Sequence, residues 1–166
     1  MVDINIEKYQ VNKPYPKISI KCSNQYWARL IQDDYSSKGS EYTAISQYIY
    51  AHITATEDEI AETFLGIGIV EMYHLDLLGD LLVDLGDNPV FISGDDRVWS
   101  SDFVPYGYST KNRIELAIDG ERAAIKQYEE HIKLINDLEI KKLLCRIIED
   151  EKLHIKIFKQ LLEKFY

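Results

Sequence analysis

Two apolar stripes in this chain are interrupted at their centres by the same pair of residues. The first runs Ile60, Phe64, Ile67, Glu71, His74, Leu78, Leu81, Leu85. The second runs Ile140, Leu144, Ile147, Glu151, His154, Phe158, Leu161, Phe165. Steps of three and four place each set on one face of a helix. Each Glu-x-x-His pair therefore stands where the pattern calls for buried apolar side chains. Two further helical stripes carry one glutamate each: Glu41, Ile45, Tyr48, His52, and Ile114, Ile118, Glu121, Ile125, Tyr128, Ile132, Ile135. Glu41 precedes Glu71 by thirty residues, as Glu121 precedes Glu151, and each of Tyr48 and Tyr128 follows its glutamate by seven. Every member of the first set recurs eighty residues later. Such a repeat describes two helix pairs related by an approximate two-fold axis.

The rest of the chain fits this frame. Residues 1–23, with Pro14 and Pro16, read as an extended N-terminal arm, with Lys17 to Lys21 a short strand or docking segment. Residues 24–166 read as one domain. One long first helix starts at Asn24, with a kink expected near Gly39, where glycine weakens a helix interior. Thr56 and Glu59 form a capping box for the second helix, with Thr56 as N-cap, and Gly86 suits its C-terminal end. Residues 87–110 are irregular and rich in aromatics (Phe91, Trp99, Phe103, Tyr106, Tyr108). A segment that long needs a structural reason, and a crossover running back along the outside of the helices supplies one. The third helix spans about Lys111 to Ile135, and Asp137 caps the fourth. Two antiparallel helix pairs joined by one long crossover give an all-α, ferritin-like four-helix bundle.

Charge decides what the interrupted stripes are for. An unpaired carboxylate buried in a bundle costs several kcal/mol or more. Four of them are neutralised by two divalent cations, and oxygen plus imidazole ligands suit Fe or Mn. The set predicted to bind metal is Glu41, Glu71, His74, Glu121, Glu151 and His154. Glu71 and Glu151 are placed to bridge the two ions, and Glu41 and Glu121 to bind one each. Tyr48 and Tyr128 are placed to hydrogen-bond ligand carboxylates from outside. His52 and His131 lack a stripe partner and read as surface or polar-core residues. Glu129, Glu130, Glu149 and Asp150 read as solvated.

Composition excludes other classes. The net charge is −9, which argues against nucleic acid and anionic membrane surfaces as partners. The apolar runs are too short to span a bilayer, and the N-terminus lacks the apolar core of a signal peptide. Two cysteines without a Cys-x-x-Cys motif point to free thiols and a cytoplasmic setting.

The segments YTAISQYIYAH, VEMYHLDLLGDLL with LGDNP, and IIEDEKLHIKIF resemble the ferritin-like di-metal superfamily. They are similar to bacterioferritins, rubrerythrins and manganese catalases over roughly Asn24 to Tyr166, and the six ligand positions match the family pattern one for one. The resemblance implies a di-iron or di-manganese oxidoreductase acting on hydrogen peroxide or dioxygen. Its alternatives are a ferroxidase that stores iron and a metal-binding structural protein of coat type. Without Cys-x-x-Cys knuckles, an electron donor is expected to be a separate protein. Gly120 stands where manganese catalases carry a basic residue. Met72 occupies the place of the haem-ligating Met of bacterioferritins, yet it also fits as an interface residue, and no haem is expected. Aromatic-rich outer segments imply a homo-oligomer.

Overall fold

The computed structural model describes residues 4–166, which hold five α-helices: α1 (Gln25–Ser36), α2 (Glu41–Thr54), α3 (Asp58–Asp84), α4 (Thr110–Leu134) and α5 (Leu138–Phe165). Helices α2 and α3 form one antiparallel pair and α4 and α5 the other. Together with α1 they make a ferritin-like four-helix bundle. No β-strand occurs among the described residues, where β structure is limited to one bridge between Ile92 and Val98. Lys17 to Lys21, expected as a strand or docking segment, forms no strand but docks: Ile18 and Ile20 pack against the core and the Ser19 N–H donates to Glu139. Among the described residues, no helix is long and apolar enough to cross a membrane.

The first bundle helix is not continuous, in contrast to the single long helix expected. It is split into α1 and α2 by Ser37 to Ser40. The Ser37 carbonyl is taken by two hydroxyls, Ser40 Oγ and Thr43 Oγ1, each at 2.7 Å. Ser40 then accepts the Thr43 N–H as N-cap of α2. Side-chain hydroxyls thus offer the backbone an alternative to the helical ladder, and Gly39 between them does not oppose it. Helix α3 also starts later than expected. Its N-cap is Glu57, which makes no side-chain capping bond. The Thr56 hydroxyl donates to the Glu57 carboxylate at 2.8 Å and is not available to the backbone. Asp137 caps α5 by accepting from the amides of Glu139 and Ile140.

The C-terminus of α3 closes in a Schellman arrangement. Gly86 adopts φ +83°, its N–H donates to Val83 O, and the Asp87 N–H reaches Leu82 O. From there the crossover is held against α1 and α2. Gln32 Nε2 donates to the carbonyls of Val90 and Ile92, and Asp33 accepts from the Gly94 amide. Phe91 stacks between Tyr35 and Tyr42, and Trp99 packs on Tyr42 and donates its indole N–H to Thr43 Oγ1. Phe91, Trp99 and Tyr106 pack on the outer side of the helices, as the sequence predicts, whereas Tyr108 is exposed.

Two apolar clusters fill the bundle. One gathers Leu78, Leu81, Leu85, Ile140, Leu144 and Ile147 with Ala28 and Ile31 of α1. The other gathers Tyr48, Ile60, Phe64, Ile67, Ile114 and Phe158. Along α3 and α5 the Glu-x-x-His pairs fall between them, so a polar layer divides the core.

The N-terminal arm seals one side of that layer. Arg146 Nε donates to Lys13 O and Nη2 to Val11 O, while the Val11 amide donates to Asp150 Oδ1 at 2.6 Å. Arg146 Nη1 lies 2.7 Å from the same Asp150 oxygen, off the hydrogen-bond axis, and the guanidinium covers the Tyr15 ring at 4.4 Å. Further along the arm, the Tyr9 ring lies against Gly66 of α3, where any Cβ would overlap it. Arg146 and Asp150 are 2 % and 0 % exposed. Removing one member of a buried pair leaves a buried charge uncompensated. Arg146→Ala is therefore expected to lower the unfolding free energy by roughly 3–5 kcal/mol in denaturant titrations. A loss within about 1 kcal/mol, the usual yield of an exposed pair, contradicts this account.

Candidate metal centre

Each helix of the bundle brings its polar residues to one level. Glu41 opens α2, Glu71 and His74 sit in mid-α3, Glu121 lies on α4, and Glu151 and His154 occupy mid-α5. None of the six is more than 4 % exposed. They converge as two groups, Glu41–Glu71–His74–Glu151 and Glu71–Glu121–Glu151–His154, in each of which one ligand atom per residue lies within 4.8 Å of the others. Glu71 and Glu151 belong to both.

The contacts are symmetric. Within each helix the histidine Nδ1 faces its own glutamate: His74 to Glu71 Oε2 at 2.9 Å, His154 to Glu151 Oε2 at 3.0 Å. Between helices the pairs exchange. Glu71 Oε1 lies 3.0 Å from His154 Nδ1, and Glu151 Oε1 lies 3.2 Å from His74 Nδ1. Neither of these oxygens is placed for a hydrogen bond, so both are buried without one. Glu41 Oε1 stands 3.8 Å from His74 Nδ1, and Glu121 Oε1 3.5 Å from His154 Nδ1. Three carboxylate oxygens thus surround each Nδ1, and an imidazole nitrogen can offer them at most one proton. A cation at each point of convergence satisfies all of them, and the donor set, carboxylate and imidazole, suits Fe or Mn.

The outer nitrogens are held in ways that favour this use of Nδ1. His154 Nε2 donates to the Tyr9 carbonyl at 2.9 Å. His74 Nε2 lies 3.2 Å from both Asp150 Oδ2 and the Tyr15 hydroxyl, and that hydroxyl donates to the same carboxylate oxygen at 2.6 Å. A neutral imidazole whose Nε2 carries the proton turns the Nδ1 lone pair inward. The terminal glutamates are held across the halves of the repeat. The Tyr48 hydroxyl donates to Glu121, and the Tyr128 hydroxyl donates to Glu41.

Electrostatics divides the carboxylates into two kinds. Burial, then the charges of Glu151 and Glu71, push Glu41 and Glu121 well above the usual carboxylate range. Burial acts on Glu71 and Glu151 too, but the two histidines outweigh it and hold both below that range. Burial also disfavours charge on His74 and His154. The Asp150 carboxylate, to which His74 Nε2 can donate, and the nearby Glu151 carboxylate at His74, and the Glu71 charge with carboxylate contacts at His154, overcome it and raise both well above the ordinary imidazole value. Each of these shifts favours protons on the terminal glutamates and the histidines, opposing the buried negative charge.

Asp150 departs from expectation. It is fully buried, not solvated, because the arm covers it, and its partners hold its pKa at about 2 against the opposing effect of burial. His131, buried, donates its Nδ1 proton to Asp34 at 2.8 Å, and His52 is bound to the Ala61 carbonyl. Glu149 meets Lys13 on the surface. Asp150, Arg146, Tyr15 and the Tyr9 carbonyl are the site components that periodicity does not find. The one signal for them is Arg146 and Asp150 at i, i+4, next to Glu151.

Comparison with known proteins agrees with the fold. The chain is 20 % identical to the probable manganese catalase of Clostridium acetobutylicum over 169 residues, spanning 89 % of this chain and 75 % of that protein. It is 26 % identical to the bacterioferritin of Desulfovibrio desulfuricans over 140 residues, spanning 81 % and 74 %. The fold matches that of KatB, a manganese catalase from Anabaena, with a TM-score of 0.86 and 22 % identity over 94 % of this chain and 80 % of that one. The family model described as rubrerythrin matches residues 35–162, a span that includes all six converging residues. The chain belongs to the rubrerythrin family.

Proposed function

We propose that this protein is a di-metal oxidoreductase that acts on hydrogen peroxide or dioxygen, with peroxide the better supported substrate. The observation that carries the reading is the pair of buried ligand groups sharing Glu71 and Glu151. The manganese catalase relatives support it. Glu41 and His74 would serve one ion, Glu121 and His154 the other, and Glu71 and Glu151 would bridge. Two bound Fe or Mn ions would supply a two-electron couple and positions open to a small oxidant. The chain's own part is to hold the ligands. Tyr48 and Tyr128 fix the terminal carboxylates, the Tyr9 carbonyl and Asp150 fix the imidazoles, and the two apolar clusters keep bulk water from the layer between them. Met72, Tyr73 and Val83 of α3 are exposed apolar surface, which supports assembly as a homo-oligomer.

Anaerobic loading with Mn(II) or Fe(II) followed by peroxide tests the activity. Loaded protein is expected to consume peroxide or to show metal oxidation, and failure of both sinks the enzyme reading. A storage role, suggested by the bacterioferritin relative, requires a hollow multi-subunit shell. A native mass near that of a dimer or hexamer excludes it.

Two results should follow from the geometry. Tyr48→Phe and Tyr128→Phe, which free the terminal carboxylates, should weaken metal binding by roughly 10–100-fold in equilibrium dialysis while the helical content stays unchanged. Unchanged affinity would show that the tyrosines do not orient ligands. Metal uptake should also expel protons. Glu41, Glu121, His74 and His154 all have raised pKa values, so a cation that binds them competes with protons. In weakly buffered solution, loading should release protons, and affinity should rise with pH. Metal uptake without acidification would contradict the assignment of these residues as ligands.

A further inference from the structure

A cavity of about 400 Å³ opens between α2 and α4, directly over the metal layer. Glu41, Tyr48 and Glu121 form its floor, and Phe103 and Pro105 of the crossover line its outer wall. Gly120, one residue before Glu121, keeps it wide: a Cβ there would stand 3.9 Å from the Gln47 carboxamide oxygen. Among the described residues, Gln47 is the one uncharged polar side chain whose buried nitrogen has no hydrogen-bond partner. It is 4 % exposed and lines this cavity.

The internal repeat shows that this is a difference with a purpose to explain. Gln47 precedes Tyr48 as Gln127 precedes Tyr128, eighty residues on. Gln127 Nε2 donates to Asp34 Oδ1 at 2.8 Å, and His131 holds the other oxygen of that carboxylate. The same residue at the same place in the two halves therefore has a partner in one half and none in the other. An amide donor buried without a partner is destabilising, and the unpartnered one faces the space above Glu41 and Glu121.

We infer that this cavity is the route by which hydrogen peroxide reaches the metal layer, and that Gln47 is the residue that positions it there. The inference rests on the peroxide reading above and narrows it. The walls, largely apolar apart from Lys38 and Asp119 at the lining, favour a small neutral molecule over a bulky hydrated ion, and the carboxylate floor disfavours anions. Peroxide both donates and accepts hydrogen bonds and so satisfies a carboxamide, whereas dioxygen is a poor acceptor. Gln127, held by Asp34, has no such role.

Titration of zinc-loaded protein with hydrogen peroxide, followed by NMR of the side-chain amides, tests binding without turnover, since zinc is redox-inert. The Gln47 amide resonances should shift and saturate while those of Gln127 stay fixed. In manganese-loaded Gln47→Leu, metal content should match wild type and the melting temperature should be no lower. The KM for peroxide should rise by about two- to tenfold, the factor expected for one lost hydrogen bond, with kcat within about twofold. Fixed Gln47 resonances, equal shifts at Gln127, or an unchanged KM in a fully loaded variant would each overturn the inference. If Gln47→Leu does not fold, the titration of the wild-type protein decides alone. If manganese-loaded wild type turns over no peroxide, the enzyme reading fails, and the titration still reports whether the cavity binds peroxide at Gln47.

Discussion

The structure depends on negative charge placed where water cannot reach it. Four glutamates lie between two apolar clusters, none more than 4 % exposed. Carboxylates so buried are tolerated only when something positive is shared among them. Much of the rest follows from that need. The histidines come three residues after two of the glutamates, so that each α3 and α5 turn supplies its own counter-group. The tyrosines of one half tie down the terminal glutamate of the other, which binds the two helix pairs across the layer as well as along the apolar seams.

The bundle and the convergence of its six polar residues were legible because both are periodic. A stripe with spacing three and four tells which face is buried, and a polar residue in it stands out. The eighty-residue repeat then supplied the pairing between helices that no single stripe contains. What periodicity could not show is contact made by a chain segment without a period. The arm reaches α5 across more than 130 residues of sequence, through Val11 to Asp150 and Arg146 to Lys13. Asp150 lies off the main stripe of α5 and reads as solvent-facing until the arm is laid over it. The break between α1 and α2 was missed for a different reason. Its signal, Ser37 and Ser40 around Gly39, was present, but the continuing pattern on both sides outweighed it. Two serine hydroxyls and one threonine were enough to end one helix and cap the next.

The irregular segments carry as much of the architecture as the helices do. The crossover is pinned by Gln32 and Asp33 of α1 and by stacking on Tyr35 and Tyr42, so it is a fixed wall and not a tether. The arm is fixed with equal care, by a buried ion pair and by a tyrosine ring seated on Gly66. One segment covers the side of the layer where the histidines point outward, and the other lines the opening over the terminal glutamates.

The outer contacts of the two histidines have a consequence for how alike the two halves are. His74 is backed by the Asp150 carboxylate, and His154 by the neutral carbonyl of Tyr9. A carboxylate behind an imidazole makes it a more electron-rich donor than a carbonyl does. The repeat that builds the site from two matching units therefore yields unequal positions. An ion beside His74 would be held by the stronger donor, which favours a higher oxidation state. Two ions of the same element bound here would thus be distinguishable by affinity and by potential, and the difference comes from Asp150, which stands where the first half has Val70, and from the arm, which lies outside the repeat.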